Sequence, residues 1–83
     1  MTKTEIFEIV VRNARDVLPN LANQHIAANA SLKALGANSL DRSEIVMMTL
    51  EALRLHLPLA VTAKAKNIDE LVNLLHESLQ LAA

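Results

Sequence analysis

Phe7 is the sole aromatic side chain of this sequence, and Gly36 is its sole glycine. A core must therefore be assembled from Leu, Ile, Val, Met and Ala. Small sandwiches and barrels draw on aromatic and β-branched side chains, and their hairpins need glycine-rich turns. One Gly and two Pro leave too few turn residues for such a fold. Aliphatic, Ala- and Leu-rich segments favour helices instead. With 83 residues the chain is expected to form one domain, residues 1–83, with little room for a deep substrate pocket.

Charge and composition exclude further classes. The net charge is −1, with no basic stripe for phosphates and no aromatic platform for bases, so no nucleic-acid partner is expected. There is no Cys, hence no disulfide framework and no thiolate metal site. His25, His56 and His76 lie far apart, without ligand spacing, so no metal site is expected either. The N-terminal residues 1–5 lack the apolar run of a signal peptide. The most hydrophobic stretch, 45–61, is broken by Glu51, Arg54, His56 and Pro58 and does not read as a membrane span. A cytoplasmic monomer without a membrane partner is the expectation.

Periodicity predicts three longer helices and one short one. The first covers residues 3–18: Thr2 and Glu5 have capping-box spacing, and Ile6, Ile9, Val10, Ala14, Val17 and Leu18 recur at steps of three and four before Pro19. A long connection, 20–38, follows. Ile26, Leu32 and Leu35 are its expected anchors, with one helical turn at 31–35 closed by Gly36 at positive φ. The second helix is predicted over 40–56, capped by Asn38 or Ser39 and ended by Pro58. Ile45, Thr49, Leu53 and His56 or Leu57 would face the core, widened by Val46 and Leu50. Leu40 and Met47 would lie on another side, exposed. Residues 59–66 read as a short helix or an irregular connection. The last helix begins near Ile68 behind an Asn67–Glu70 cap, with Ile68, Leu71, Val72, Leu75 and Leu79 inward and Leu74 and Leu81 broadening that face. The expected fold is an all-α four-helix bundle with a long loop between helices one and two.

One motif carries chemistry. Leu35-Gly36-Ala37-Asn38-Ser39-Leu40-Asp41 sets a serine hydroxyl after a glycine turn at a helix start. No base lies near it in sequence, and the Gly-x-Ser-x-Gly elbow of a hydrolase is missing. A serine to be modified fits better than a serine that attacks, although a plain helix cap explains the same residues.

The wider spacing shifts the balance between them. The run Leu32-x-x-Leu35-Gly36-Ala37-Asn38-Ser39-Leu40, then Glu44-Ile45-Val46-Met47, Leu53, Leu57-Pro58 and Lys66-Asn67-Ile68-x-Glu70-Leu71, resembles an acyl carrier protein. The resemblance implies a carrier, not an enzyme, with 4′-phosphopantetheine on Ser39 donated from coenzyme A by a phosphopantetheinyl transferase. The chain departs from carriers of fatty acid synthesis, which have Asp before the serine and a strongly acidic second helix. Here Asn38 is neutral, and Arg42 and Arg54 offset Asp41, Glu44 and Glu51.

Asn38, Asp41-Arg42 and the 66–72 segment are similar to the free-standing donor carriers of polyketide β-branching cassettes. That group implies delivery of an acetyl thioester to a hydroxymethylglutaryl-synthase-like enzyme. It also implies supply by a ketosynthase-like decarboxylase or acyltransferase. Leu40, Asp41, Arg42, Ser43 and Met47 would then meet the partner, and Arg42 would contact a partner acid or the arm's phosphate. A general polyketide or peptidyl carrier, and an unmodified helical interaction module, are the alternatives.

Overall fold

The computed structural model describes residues 1–82. Four α-helices follow in order: α1 (Lys3–Val17), α2 (Ser39–Leu53), α3 (Leu59–Thr62) and α4 (Ile68–Ala82), with a 3₁₀ turn at Pro19–Leu21. The expected all-α bundle of three longer helices and one short one is what forms. α1 packs against both α2 and α4, and α3 sits against α2.

α1 starts where its cap chemistry puts it. The Thr2 hydroxyl accepts the Glu5 N–H at 3.1 Å, and the Glu5 carboxylate accepts the Thr2 N–H at 2.9 Å. Two of the helix's orphan donors are thereby satisfied. Ile6, Val10 and Ala14 are fully buried, and Ile9, Val17 and Leu18 are half-buried. Leu18 ends the helix because a residue before proline is pushed out of the helical region. Complete burial of an Ile, Val or Leu side chain contributes about 1.5–3 kcal/mol.

The stripe reading missed two buried positions on α1, Val11 and Asn13. The Asn13 amide donates to the Thr49 hydroxyl across the α1–α2 interface at 3.0 Å, and that hydroxyl donates to the Ile45 carbonyl at 2.8 Å. A polar residue on an apolar face carries no sequence mark of the partner that makes it tolerable there.

The connection 22–38 is tied down at several points. Arg15 donates to the carbonyls of Leu21 and Gln24. The N–H groups of Ile68 and Asp69, at the start of α4, donate to the carbonyls of Ala30 (2.9 Å) and Ala28 (2.8 Å). Ile26 and Leu32 are buried as expected and Leu35 is half-buried, while Leu21 and Ala37 are two further anchors. The predicted turn at 31–35 is present. The Leu35 N–H bonds the Ser31 carbonyl, and Gly36 (φ 103°) and Ala37 donate back to Lys33 and Leu32. That paired return is a Schellman closure, which needs a residue at positive φ.

α2 ends earlier than the sequence predicts. It stops at Leu53, not near His56, and Pro58 is not its terminator. Arg54 takes the left-handed conformation (φ 55°), while Arg54 and Leu55 donate to Glu51 and Leu50. This is the same closure as at Gly36, made without glycine, so the usual sequence signal is missing. Beyond it His56 is exposed and Leu57 half-buried. At the far end of α4, Leu81 is 82% exposed and does not broaden the core face. α4 opens as foreseen: the Asn67 side chain accepts the Glu70 N–H at 2.8 Å.

Candidate functional site

The start of α2 is fixed by Asn38 and Asp41. The Asn38 side-chain oxygen accepts the Asp41 N–H at 2.8 Å, and the Asp41 carboxylate accepts the Asn38 N–H at 3.1 Å. Asn38 is therefore the cap, and Ser39 is the first helical residue. The capping interaction does not use the Ser39 hydroxyl, and Ser39 is exposed. Its own N–H and that of Leu40 belong to the first turn, where no acceptor exists within the helix.

The backbone reaches this point through the Gly36 turn. A Cβ built at Gly36 would meet nothing within 4 Å, so the need for glycine there is conformational and not steric crowding. Arg42 closes the corner, since its Nη1 donates to the Ala37 carbonyl at 2.9 Å. The side chain is half-buried and held, unlike a freely solvated surface arginine.

Ser39 stands on a cleft of about 480 Å³ between α2, α3, the turn at 31–35 and the start of α4. Val46, Ile68 and Leu71 give it an apolar floor, and Ser43 lines it beside Ser39 and Arg42. Lys33 and Lys66 also line it. Among the described residues of the lining, the charged ones are all cations, and no His, Asp or Glu is present. A serine nucleophile needs an adjacent base to become reactive. This hydroxyl has none in its cleft, so the arrangement suits acceptance of a group by means of an external enzyme.

The remaining sequence-expected contact residues fall into three positions. Arg42 and Ser43 share the cleft with Ser39. Leu40 and Met47 point outward, 75% and 50% exposed. Met47 lines a second depression with Leu50, Arg54 and Pro58, which Ser39 does not line. Asp41 is half-buried and its carboxylate is engaged in the cap. Lys33 and Lys66 come from the 31–35 turn and the segment just before α4. Their meeting beside Ser39 joins segments more than thirty residues apart and leaves no local signal. Among the described residues no helix is long and apolar enough to cross a membrane.

No family model matches the chain. It is 40% identical over 82 residues to the polyketide biosynthesis acyl-carrier-protein AcpK of Bacillus subtilis (strain 168), a match covering 99% of this chain and 100% of that protein. It is also similar to a chain in the crystal structure of the curacin biosynthetic pathway HMG synthase in complex with acetyl donor-ACP. There the TM-score is 0.86 and the identity 39%, covering 90% of this chain and 96% of the other.

Proposed function

The chain belongs to the acyl carrier proteins of polyketide biosynthesis, and on that premise we propose that Ser39 bears its 4′-phosphopantetheine and that it delivers acetyl to an HMG-synthase-like enzyme for β-branching. It is a carrier acted on by enzymes. The observation that carries the reading is the uncommitted, exposed Ser39 hydroxyl at the first position of α2, in a chain similar over its whole length to a carrier.

The residues present fit the group. Asn38 supplies the cap and leaves the serine available. The first-turn N–H groups favour an anion, and Gly36 brings the backbone round to the helix start. When bound, the group supplies a terminal thiol that holds the acyl chain as a thioester. This chain's own part is to present Ser39 to a transferase and the cargo to its partners. Similarity to a structure containing an acetyl donor carrier favours acetyl cargo over that of a general polyketide or peptidyl carrier.

On this reading a phosphopantetheinyl transferase loads the protein, and a ketosynthase-like decarboxylase or acyltransferase provides the acetyl unit. Leu40, Asp41, Arg42, Ser43 and Met47 form the partner face, with the exposed Leu40 and Met47 as its apolar contacts. The protein acts as a cytoplasmic monomer. A net charge of only −1 over residues 39–54, where Arg42 on α2 and Arg54 at its C-terminal cap stand against three acids, makes docking depend on local fit more than on long-range steering.

The test is direct. Incubation with coenzyme A and a phosphopantetheinyl transferase is expected to raise the intact mass by one phosphopantetheine, and Ser39→Ala is expected to stay unchanged. The acetylated holo form should then pass acetyl to an HMG-synthase-like partner. A mass gain that survives Ser39→Ala, or no gain in the wild type, overturns the assignment.

A further inference from the structure

Resting on the reading of Ser39 as the tether point, we propose that Arg42 is a positioning residue: it holds the phosphodiester of the attached group while remaining fastened to the Ala37 carbonyl. Four observations converge on it.

Arg42 lies three residues after Ser39 on α2, so the two side chains project from neighbouring positions on one helix face, and both line the same cleft. Its guanidinium is already held by the 2.9 Å bond from Nη1 to Ala37. That bond uses one of five N–H donors, and the planar fork leaves others for the oxygens of a phosphate. Holding a long side chain in advance removes most of the ordering cost of a second contact.

No competing acid lines the cleft. The cleft lining carries Lys33, Arg42 and Lys66 and, among the described residues, no carboxylate. Four acids adjoin lining residues in the chain: Asp41 accepts the Asn38 N–H and Glu70 accepts the Lys66 N–H, while Glu44 and Asp69 are exposed and do not line the cleft. The only negative charge the proposal brings to this cleft is the phosphodiester itself. Finally, the N–H groups of Ser39 and Leu40 lie at the same helix start and add uncharged donors next to the arginine.

A consequence follows for the unmodified and modified proteins. Arg42 joins the phosphodiester to the carbonyl of Ala37, the residue just past the Gly36 turn. Loading Ser39 therefore tightens the 36–38 segment through Arg42. A merely structural role, in which Arg42 only braces Ala37, would act equally in both forms.

The experiment compares thermal midpoints of apo and holo protein for the wild type, Arg42→Gln and Arg42→Lys, at low and high salt, with intact mass confirming loading. We expect holo wild type to melt about 2–6 °C above apo at low salt, with the gap shrinking as salt screens the contact. In Arg42→Gln the gap is expected to fall to the small remainder that the first-turn N–H groups supply, even if both forms are less stable, because loss of the Ala37 bond cancels in the difference. Arg42→Lys, with one ammonium for two acceptors, should keep less than half of it. If Arg42→Gln does not fold, the lysine variant and the ³¹P resonance of its holo form carry the test. A gap or resonance unchanged from wild type overturns the inference. A wild type that takes up no group overturns the tether reading instead, and this inference with it. A loaded protein whose gap ignores Arg42 overturns this inference alone.

Discussion

At the start of α1, Thr2 and Glu5 exchange hydrogen bonds of 3.1 and 2.9 Å; at the start of α2, Asn38 and Asp41 do the same at 2.8 and 3.1 Å. Both helices thus open with a capping box and the same unsatisfied first-turn donors. Lys3 follows the first cap and Ser39 follows the second. The residue before the first cap, Met1, is exposed, whereas the second cap is reached through a positive-φ glycine and a buried Ala37. Beside the second lies a cleft with an apolar floor and three cations. The cap is general helix chemistry. What sets the start of α2 apart is the hydroxyl at the first helical position, the turn that delivers it and the arginine that braces that turn.

The largest effect should come from moving the hydroxyl. In a Lys3→Ser, Ser39→Ala double variant, α1 gains a serine directly after an intact capping box. Coenzyme A and a transferase should then produce no mass gain at all. A gain would mean that the box alone suffices and that the surroundings of Ser39 are incidental.

A second variant probes the turn, which has no counterpart at α1. Gly36→Ala forces an L side chain to φ 103° with open space around the new Cβ, so the whole cost is conformational. Destabilisation of about 1–3 kcal/mol is expected in urea unfolding, together with slower loading of Ser39.

The smallest effect sharpens the comparison from the α1 side. The Thr2 backbone N–H, and secondly its hydroxyl, hold the Glu5 carboxyl below its ordinary value of 4.5. A carboxylate with a lowered folded-state pKa stabilises the fold at pH above that ordinary value, and the contribution fades as pH falls through the folded value. Glu5→Gln should remove that part of the acid-side decline in stability. The change will be slight, since the group is fully exposed, and loading of Ser39 should not change.

Much of this was legible in the sequence because it is local. The caps of α1, α2 and α4 are each written within four residues, and the core stripes of α1 and α4 follow a simple period. Gly36 announced its turn. What stayed hidden depends on partners remote in the chain or on a missing signpost. Arg54 closes α2 in a conformation that glycine usually marks, and Pro58 drew the predicted boundary several residues too far. Asn13 had no place in the apolar stripe, and only Thr49 opposite it accounts for its burial. Lys33 and Lys66 join Arg42 around one cleft only when the 31–35 turn meets the start of α4. Arg42 itself was seen as a contact residue, but its bond to Ala37 could not be read from spacing.

The Asn13–Thr49 pair has a wider consequence. An interior built almost wholly from aliphatic side chains is forgiving, because many sliding or rotated arrangements of α1 on α2 would bury nearly as much hydrocarbon. Only one of them lets an amide deep in the seam find a hydroxyl. Every displaced arrangement strands the Asn13 amide, while Thr49 keeps its bond to Ile45, so this single contact across the seam turns a permissive hydrocarbon contact into one alignment. The position of Ser39 relative to the rest of the molecule is thereby set from beneath, by two residues that no incoming enzyme will ever touch.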